Sequence, residues 1–256
     1  MAALVSSVSF DRAAAFYDQT RALPPHIADQ VAQLALRAMP PNARVLEIGV
    51  GTGRIARPLL ERGTQVVGVD LSRAMMARLR ATHPLAPLVQ GDAMYLPFAD
   101  NTFDAVIAVH VLHLVGDWRL ALREARRVMR APGVLLFGHN VNLNAPSRQL
   151  RAAFNRARGQ ASDRWLEVEE TLAPTLRAEG AHMTTFETDS WITHTTPRAE
   201  LEALRQRLWS STWALSDAEL TCIVGELEAW AVQQFGSLDA PLEDVHRFRW
   251  WCFAFV

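Results

Sequence analysis

The residues best equipped for chemistry gather around a glycine turn. In VLEIGVGTGR an acid, Glu47, precedes Gly49, Gly51 and Gly53. Glycine admits positive φ and lets a ligand approach the main chain, and a helix opening after such a turn points free N–H groups at the ligand's polar end. Asp70, 19 residues beyond Gly51, closes the next aliphatic run, TQVVGVD. A carboxylate there suits the hydroxyls of a ribose. The spacing then narrows the ligand, because a dinucleotide turn G-x-G-x-x-G/A starting at Gly49 requires a small residue at position 54, and Arg54 stands there. An acid at position 47 fits a ligand that lacks a pyrophosphate and carries a positive amino group.

Other candidates surround this pair. His110 and His113 follow the apolar run TFDAVIAV, and an imidazole there can take a proton from an O–H or N–H group near neutral pH, orient it, or serve as a hydrogen-bonded structural ring. His139 and Asn140 end the run GVLLFGHN, where they meet an acceptor or cap the next loop. Tyr17 and Arg21, four apart, share a helix face. Trp191, Trp209 and Trp213 belong to a group of six tryptophans beyond residue 190, suited to core packing or to an aromatic chamber. No His, Asp and Glu grouping has metal-ligand spacing and H-E-x-x-H is absent, so no metal is expected. All 26 basic residues are arginine, which excludes a Schiff-base lysine and a phosphate-binding P-loop lysine. A formal charge of -1 gives no overall field for nucleic acid or anionic lipid. Cys222 and Cys252, 30 residues apart, suggest neither a disulfide framework nor a thiolate zinc site and fit a reducing compartment.

These residues need a scaffold that brings strand ends together. Pro25 opens a helix over 25–38, with Ile27, Val31, Leu34 and Ala38 on one face, and Pro40-Pro41 ends it. A strand, glycine turn and helix follow, then the strand TQVVGVDLS and the helix SRAMMARLRATH. Residues 87–91, NTFDAVIAVHVL and GVLLFGHN supply three more strands, with a helix over 118–129 between the last two. Continuous aliphatic runs without polar alternation imply strands covered on both faces, hence a mainly parallel sheet. HMTTFETDSW reads as one later strand and RFRWWCFAFV as the last.

Together the motifs resemble the class I S-adenosylmethionine-dependent methyltransferases, in particular the small-molecule group of ubiquinone/menaquinone methyltransferase-like proteins (methyltransferase domain type 11). The resemblance covers residues 40–140 well. It rests on E-x-G-x-G-x-G at Glu47–Gly53, DLSRAMM, Gly91-Asp92-Ala93 before Leu96-Pro97-Phe98, FDAVIAVHVLHLV and RRVMRAPGVLL, the last with one glycine where the family has two. It implies S-adenosylmethionine as cofactor, with the Glu47–Gly53 turn along its methionine part, Asp70 on the ribose, Leu71 and Met75 beside the adenosine, Asp92 at the adenine amino group, and Ala93 and Val109 lining the site. It also implies an N-terminal segment folded over the cofactor, with Tyr17 and Arg21 towards its methionine end. His110 and His139 become the candidate catalytic residues.

The expected fold is therefore a Rossmann-like, seven-stranded methyltransferase sheet, mostly parallel with a late antiparallel strand. The expected divisions are an N-terminal helical lid (1–40), the cofactor-binding core (41–145), a helical cap (146–180) and a sheet-completing C-terminal part (181–256) with cap helices over 198–236. The expected reaction is methyl transfer to a small-molecule acceptor with release of S-adenosylhomocysteine. A nicotinamide-dependent oxidoreductase and a non-catalytic cofactor-binding protein are the alternatives. The N-terminus lacks a basic segment followed by a long apolar core and no stretch suits a membrane span, so a cytoplasmic protein, monomer or homodimer, is expected.

Overall fold

The computed structural model describes residues 7–159 and 164–255. Residues 1–6 of the expected lid lie outside them. The chain begins with a short 3-10 turn (Asp11–Ala13), α1 (Tyr17–Arg21) and α2 (Pro25–Ala38). Pro25 sits in the first turn of α2, where its missing N–H costs nothing, and the helix buries Ile27, Val31, Ala32 and Ala35. Leu34 and Ala38 are half-buried.

Next come β1 (Arg44–Ile48), α3 (Ala56–Leu60), β2 (Gln65–Asp70), α4 (Arg73–Thr82), β3 (Leu88–Gln90), β4 (Phe103–Val109), α5 (Trp118–Val128) and β5 (Met129–Asn144). They are followed by α6 (Ser147–Ala157), α7 (Arg164–Ala178), β6 (His182–Glu187), β7 (Trp191–Thr195), α8 (Pro197–Arg205), α9 (Asp217–Phe235) and β8 (Leu242–Phe255). The sheet order is β3-β2-β1-β4-β5-β8-β6, with β7 also paired to β8. The β2–β3, β1–β2, β1–β4 and β4–β5 pairs are parallel. β6 and β7 each pair antiparallel with β8.

This is the mostly parallel, helix-flanked sheet expected, with eight strands among the described residues where seven were expected. The stretch read as one strand is cut at Thr188, whose hydroxyl donates to the Asp189 carbonyl (2.8 Å) and accepts the Phe248 amide (3.1 Å). Local side-chain bonds of this kind divert the main chain from the ladder, and β7 starts afresh at Trp191. β5 and β8 also run several residues beyond the aliphatic runs that announced them.

The chain separates into two compact units. One holds the chain up to His139, Arg164–Asp189 and the end of β8 from Phe248 on; the other holds Asn140 through α6 together with Ser190–Arg247. Residues 146–180 are thus divided, α6 lying in the second unit and α7 in the first. The first unit's core joins β1, β4 and β5 through Leu46, Ile48, Val106 and Phe137 to α5 and α7. α5 is capped by Asp117, whose carboxylate accepts the Arg119 and Leu120 amides, and it buries Trp118, Ala121, Leu122, Ala125 and Val128 at helical spacing. α7 contributes Val168, Leu172 and Leu176. Each large apolar side chain so buried stabilises the fold by about 1.5–3 kcal/mol relative to its exposed state. The second unit has its own core, in which Leu150 and Phe154 of α6 meet Leu201 and Leu204 of α8 and Leu220, Val224 and Leu227 of α9.

Candidate cofactor site

Four loops leave the C-terminal ends of β1, β2, β3 and β4, the edge at which open α/β sheets bind ligands. In the first, Gly49, Gly51 and Gly53 have φ of 71°, 54° and 83°. At Gly51 the positive φ aims the amide at the Asp70 carboxylate (2.8 Å to Oδ2). At Gly49 a Cβ would stand 2.6 Å from Val111 Cγ2, so the turn tolerates no side chain there.

Glu47, on β1 just before the turn, is 2% exposed. Its Oε2 has no hydrogen-bond partner among the described residues. Burial pushes its carboxyl well above the ordinary range and the nearby Asp70 adds to this; Arg54 and the Ala56 amide act in the opposite direction. Asp70 itself accepts the Ser72 amide at Oδ1 (2.8 Å) as well as that of Gly51. Its pKa is raised by burial, against the pull of those two amides. Two carboxylates thus converge on one glycine turn, and the more deeply buried has an oxygen with no hydrogen-bond partner among the described residues, an arrangement that favours a cationic ligand group.

Met75 is buried and Leu71 half-buried on the loop after β2 and on α4, and Gln90 donates to the Leu71 carbonyl (2.9 Å). Asp92 and buried Ala93 follow β3; Asp92 Oδ1 accepts the Met94 amide (3.0 Å). That loop is bolted down by Arg127, which donates to Glu124, to Asp100 (2.7 Å) and to the Leu96 and Phe98 carbonyls. Val109 is buried at the end of β4.

His110 stands one residue further with φ of 51°. A non-glycine residue held left-handed costs about 1–2 kcal/mol, and such residues persist where the surroundings over-determine them, commonly at functional sites. His139 is placed differently. It is 1% exposed, lies between Phe137 and Trp251 (ring centroids 5.8 and 5.1 Å), and has Glu169 Oε1 at 3.3 Å from Nε2. Tyr17 packs edge-on against Phe10 (6.1 Å). The Arg21 guanidinium donates to the Thr20 carbonyl (3.3 Å), while the Arg21 carbonyl accepts Arg54 Nη1 (3.0 Å).

Sequence reasoning passed over the residues that hold the N-terminal segment to this edge. Thr52 donates to Asp18 (2.5 Å), Ser72 donates to Asp11 (2.6 Å), and Ser7 donates to Asp92 (3.0 and 3.2 Å). The only signal was two acids seven residues apart, Asp11 and Asp18, which the structure places on separate elements. In the second unit, Trp191 stacks on His246 (5.3 Å), Trp209 takes the Arg151 guanidinium over its ring (4.7 Å), and Trp213 donates to the Arg207 carbonyl (2.8 Å). All three therefore have packing roles. Among the described residues no grouping could hold a metal ion.

A parallel sheet with a glycine turn after β1, an acid closing β2 and an acid after β3 defines a Rossmann-like nucleoside-cofactor domain. Residues 46–137 match the family described as "Methyltransferase domain". The chain is 38% identical over 130 residues to an uncharacterized methyltransferase of Mycobacterium tuberculosis, Rv3342, a match covering 50% of this chain and 51% of that protein. It is 35% identical over 130 residues to the demethylmenaquinone methyltransferase of Streptomyces griseus, covering 48% and 55%. The matches thus span about half the length of these relatives. In fold it is similar to the YcgJ protein of Bacillus subtilis, with a TM-score of 0.57 at 20% identity over 88% of this chain and 97% of that one.

Proposed function

We propose that the protein transfers a methyl group from S-adenosylmethionine to a small-molecule acceptor and releases S-adenosylhomocysteine. The observation that carries this reading is Glu47, a buried carboxylate with an unpartnered oxygen beside a glycine turn. The α-amino group of the cofactor's methionine part supplies a charged donor to that oxygen. A nicotinamide dinucleotide would instead put a diphosphate beside two acids and the bulky Arg54.

On this reading Gly49, Gly51 and Gly53 bring the main chain against the methionine part, and Asp70 takes the ribose hydroxyls with oxygens that already fix the turn. Asp92 meets the adenine amino group, and Leu71, Met75, Ala93 and Val109 supply apolar walls. Tyr17 and Arg21 stand on the N-terminal segment towards the methionine end. The bound sulfonium supplies an activated methyl group. What the protein adds is placement of the acceptor in line and exclusion of water. His110, held at the end of β4, orients the acceptor and takes its proton; His139 reaches the acceptor only if its surroundings open. The two free thiols, Cys222 and Cys252, favour a reducing, cytoplasmic setting, and no described helix is long and apolar enough to cross a membrane.

The test is transfer of labelled methyl from S-adenosylmethionine into fractionated small molecules, with His110→Ala in parallel. Label in a low-molecular-weight fraction, reduced in the variant, supports the reading. Binding of S-adenosylhomocysteine with no transfer to any fraction favours a non-catalytic cofactor-binding protein.

A further inference from the structure

The N-terminal segment, residues 7–21, is tied to all four loops at the ligand-binding edge by polar contacts. Asp18 takes the Thr52 hydroxyl in the β1 loop (2.5 Å). Asp11 takes the Ser72 hydroxyl (2.6 Å) and the Ala74 amide (3.2 Å) in the β2 loop and α4. The Ser7 hydroxyl donates to Asp92 in the β3 loop and accepts the Gly116 amide (3.1 Å) beyond β4, while the Val8 amide donates to the Leu114 carbonyl (3.0 Å). Ala13 and Ala14 are buried at 2% and 7%, so the middle of the segment is also packed.

The anchors differ in kind. Asp11 and Asp18 bind hydroxyls that the cofactor reading does not use, and hydrogen bonds from Ser72, Ser9 and the Ala74 amide hold the Asp11 carboxyl below its ordinary value. Ser7 binds the one carboxylate assigned to the adenine amino group. Its hydroxyl is 3.0 Å from one Asp92 oxygen and 3.2 Å from the other. It thus donates to the same carboxylate that an incoming amino group would use, while the Met94 amide donates to Oδ1 (3.0 Å).

We propose that residues 7–21 form a strap that competes with the cofactor for Asp92: the Asp11 and Asp18 anchors stay fixed, and the Ser7 end lets go when the adenine amino group arrives. The strap rests on the cofactor reading above. It makes the protein its own weak competitor at the adenine end and couples cofactor entry to release of the Val8 and Gly116 amides. Nothing in it depends on the methionine end, so adenosine alone should open it.

The test combines affinity with amide exchange on the full chain. S-adenosylhomocysteine is titrated calorimetrically into the native protein, Ser7→Ala and Ser7→Thr, and hydrogen exchange is followed with S-adenosylhomocysteine, adenosine or methionine. A hydroxyl bonded to a charged group is worth enough that its removal from the competitor should tighten binding about tenfold in Ser7→Ala; Ser7→Thr, which keeps the hydroxyl, should bind as the native protein does. Exchange at Val8 and Gly116 should quicken with S-adenosylhomocysteine and with adenosine, not with methionine, while the Ala74 amide on the Asp11 anchor stays protected. If the native protein binds but Ser7→Ala binds equally or more weakly, or Val8 and Gly116 do not respond, the strap is refuted and the cofactor reading stands. If none of the three proteins binds, the cofactor reading fails and takes the strap with it.

Discussion

Replacing Glu47 with glutamine should stabilise the unliganded protein and cripple its binding of the cofactor. The substitution keeps the size, leaves one oxygen to accept the Ala56 amide, and replaces the other by an NH2 group that does not ionise. Burial holds the Glu47 carboxyl well above its ordinary value of 4.5. Near pH 4 the proton is retained in both folded and unfolded chains, and native and variant proteins should melt alike. As pH rises through 4.5 the unfolded chain ionises while the folded one resists, so native stability falls until the folded carboxyl ionises too. Below the folded carboxyl's raised value the native protein must keep a proton that the unfolded chain has lost, and above it a buried charge with an unpartnered oxygen; in both cases Glu47 costs it about 1–3 kcal/mol at pH 8 that glutamine does not. Relief of about 2 kcal/mol in a chain of this size raises the melting temperature by roughly 4–8 °C. In the complex the same charge becomes an asset, and losing one partner of a buried charge pair costs about 2–5 kcal/mol, a fall in affinity of roughly 30-fold or more. Thermal melts at pH 4 and pH 8, with calorimetric titration of S-adenosylhomocysteine near neutrality, read both effects. A variant that melts lower than the native protein at pH 8 and binds as tightly would refute the reasoning, because Glu47 would then be a structural acid.

Three further outcomes follow from other parts of the molecule. With φ of 51° at His110, His110→Gly should exceed His110→Ala in stability by about 1 kcal/mol in urea denaturation, and equal or inverted stabilities would remove the case for a strained histidine. A Cβ at Gly138 would stand 2.6 Å from both Phe248 Cζ and Trp250 Cζ3, so Gly138→Ala should cost about 1–3 kcal/mol; a neutral melt would show that these rings yield. Arg127 holds the loop of Asp92 by a fork of bonds to two side chains and two carbonyls, so Arg127→Lys should not rescue Arg127→Ala, and both should speed amide exchange over residues 92–102; rescue by lysine would mean that charge alone suffices.

The parallel half of the fold could be read from the sequence because burial on both faces leaves an unmistakable mark. Val45, Leu46 and Ile48 form an apolar run whose one interruption, Glu47, is a binding candidate. Prolines marked the ends of α2 equally plainly. The later sheet was harder to read. Thr188 looked like one more alternating strand residue, and only its bonds to Asp189 and Phe248 show that it ends β6. The stretch holding α7 reads only as part of a charged helical cap because Val168, Leu172 and Leu176 are spread among glutamates and threonines, yet those three side chains belong to the first unit's core. His139 shared a rim position with His110 on paper, but the rings of Phe137 and Trp251 bury it, and a strand's own sequence does not say which neighbours cover its end. The strap was invisible for a related reason: Ser7, Asp11 and Asp18 match partners 85, 61 and 34 residues away, and no local pattern encodes such pairs.

Calorimetric titration with S-adenosylhomocysteine tests most directly, and without knowledge of the acceptor, whether this edge of the sheet holds S-adenosylmethionine. Cofactor-stripped, refolded protein should bind S-adenosylhomocysteine at 1:1 stoichiometry with roughly micromolar affinity and should not respond to NADH. Binding of NADH with silence for S-adenosylhomocysteine would contradict the account and turn the same glycine turn and Asp70 towards hydride transfer.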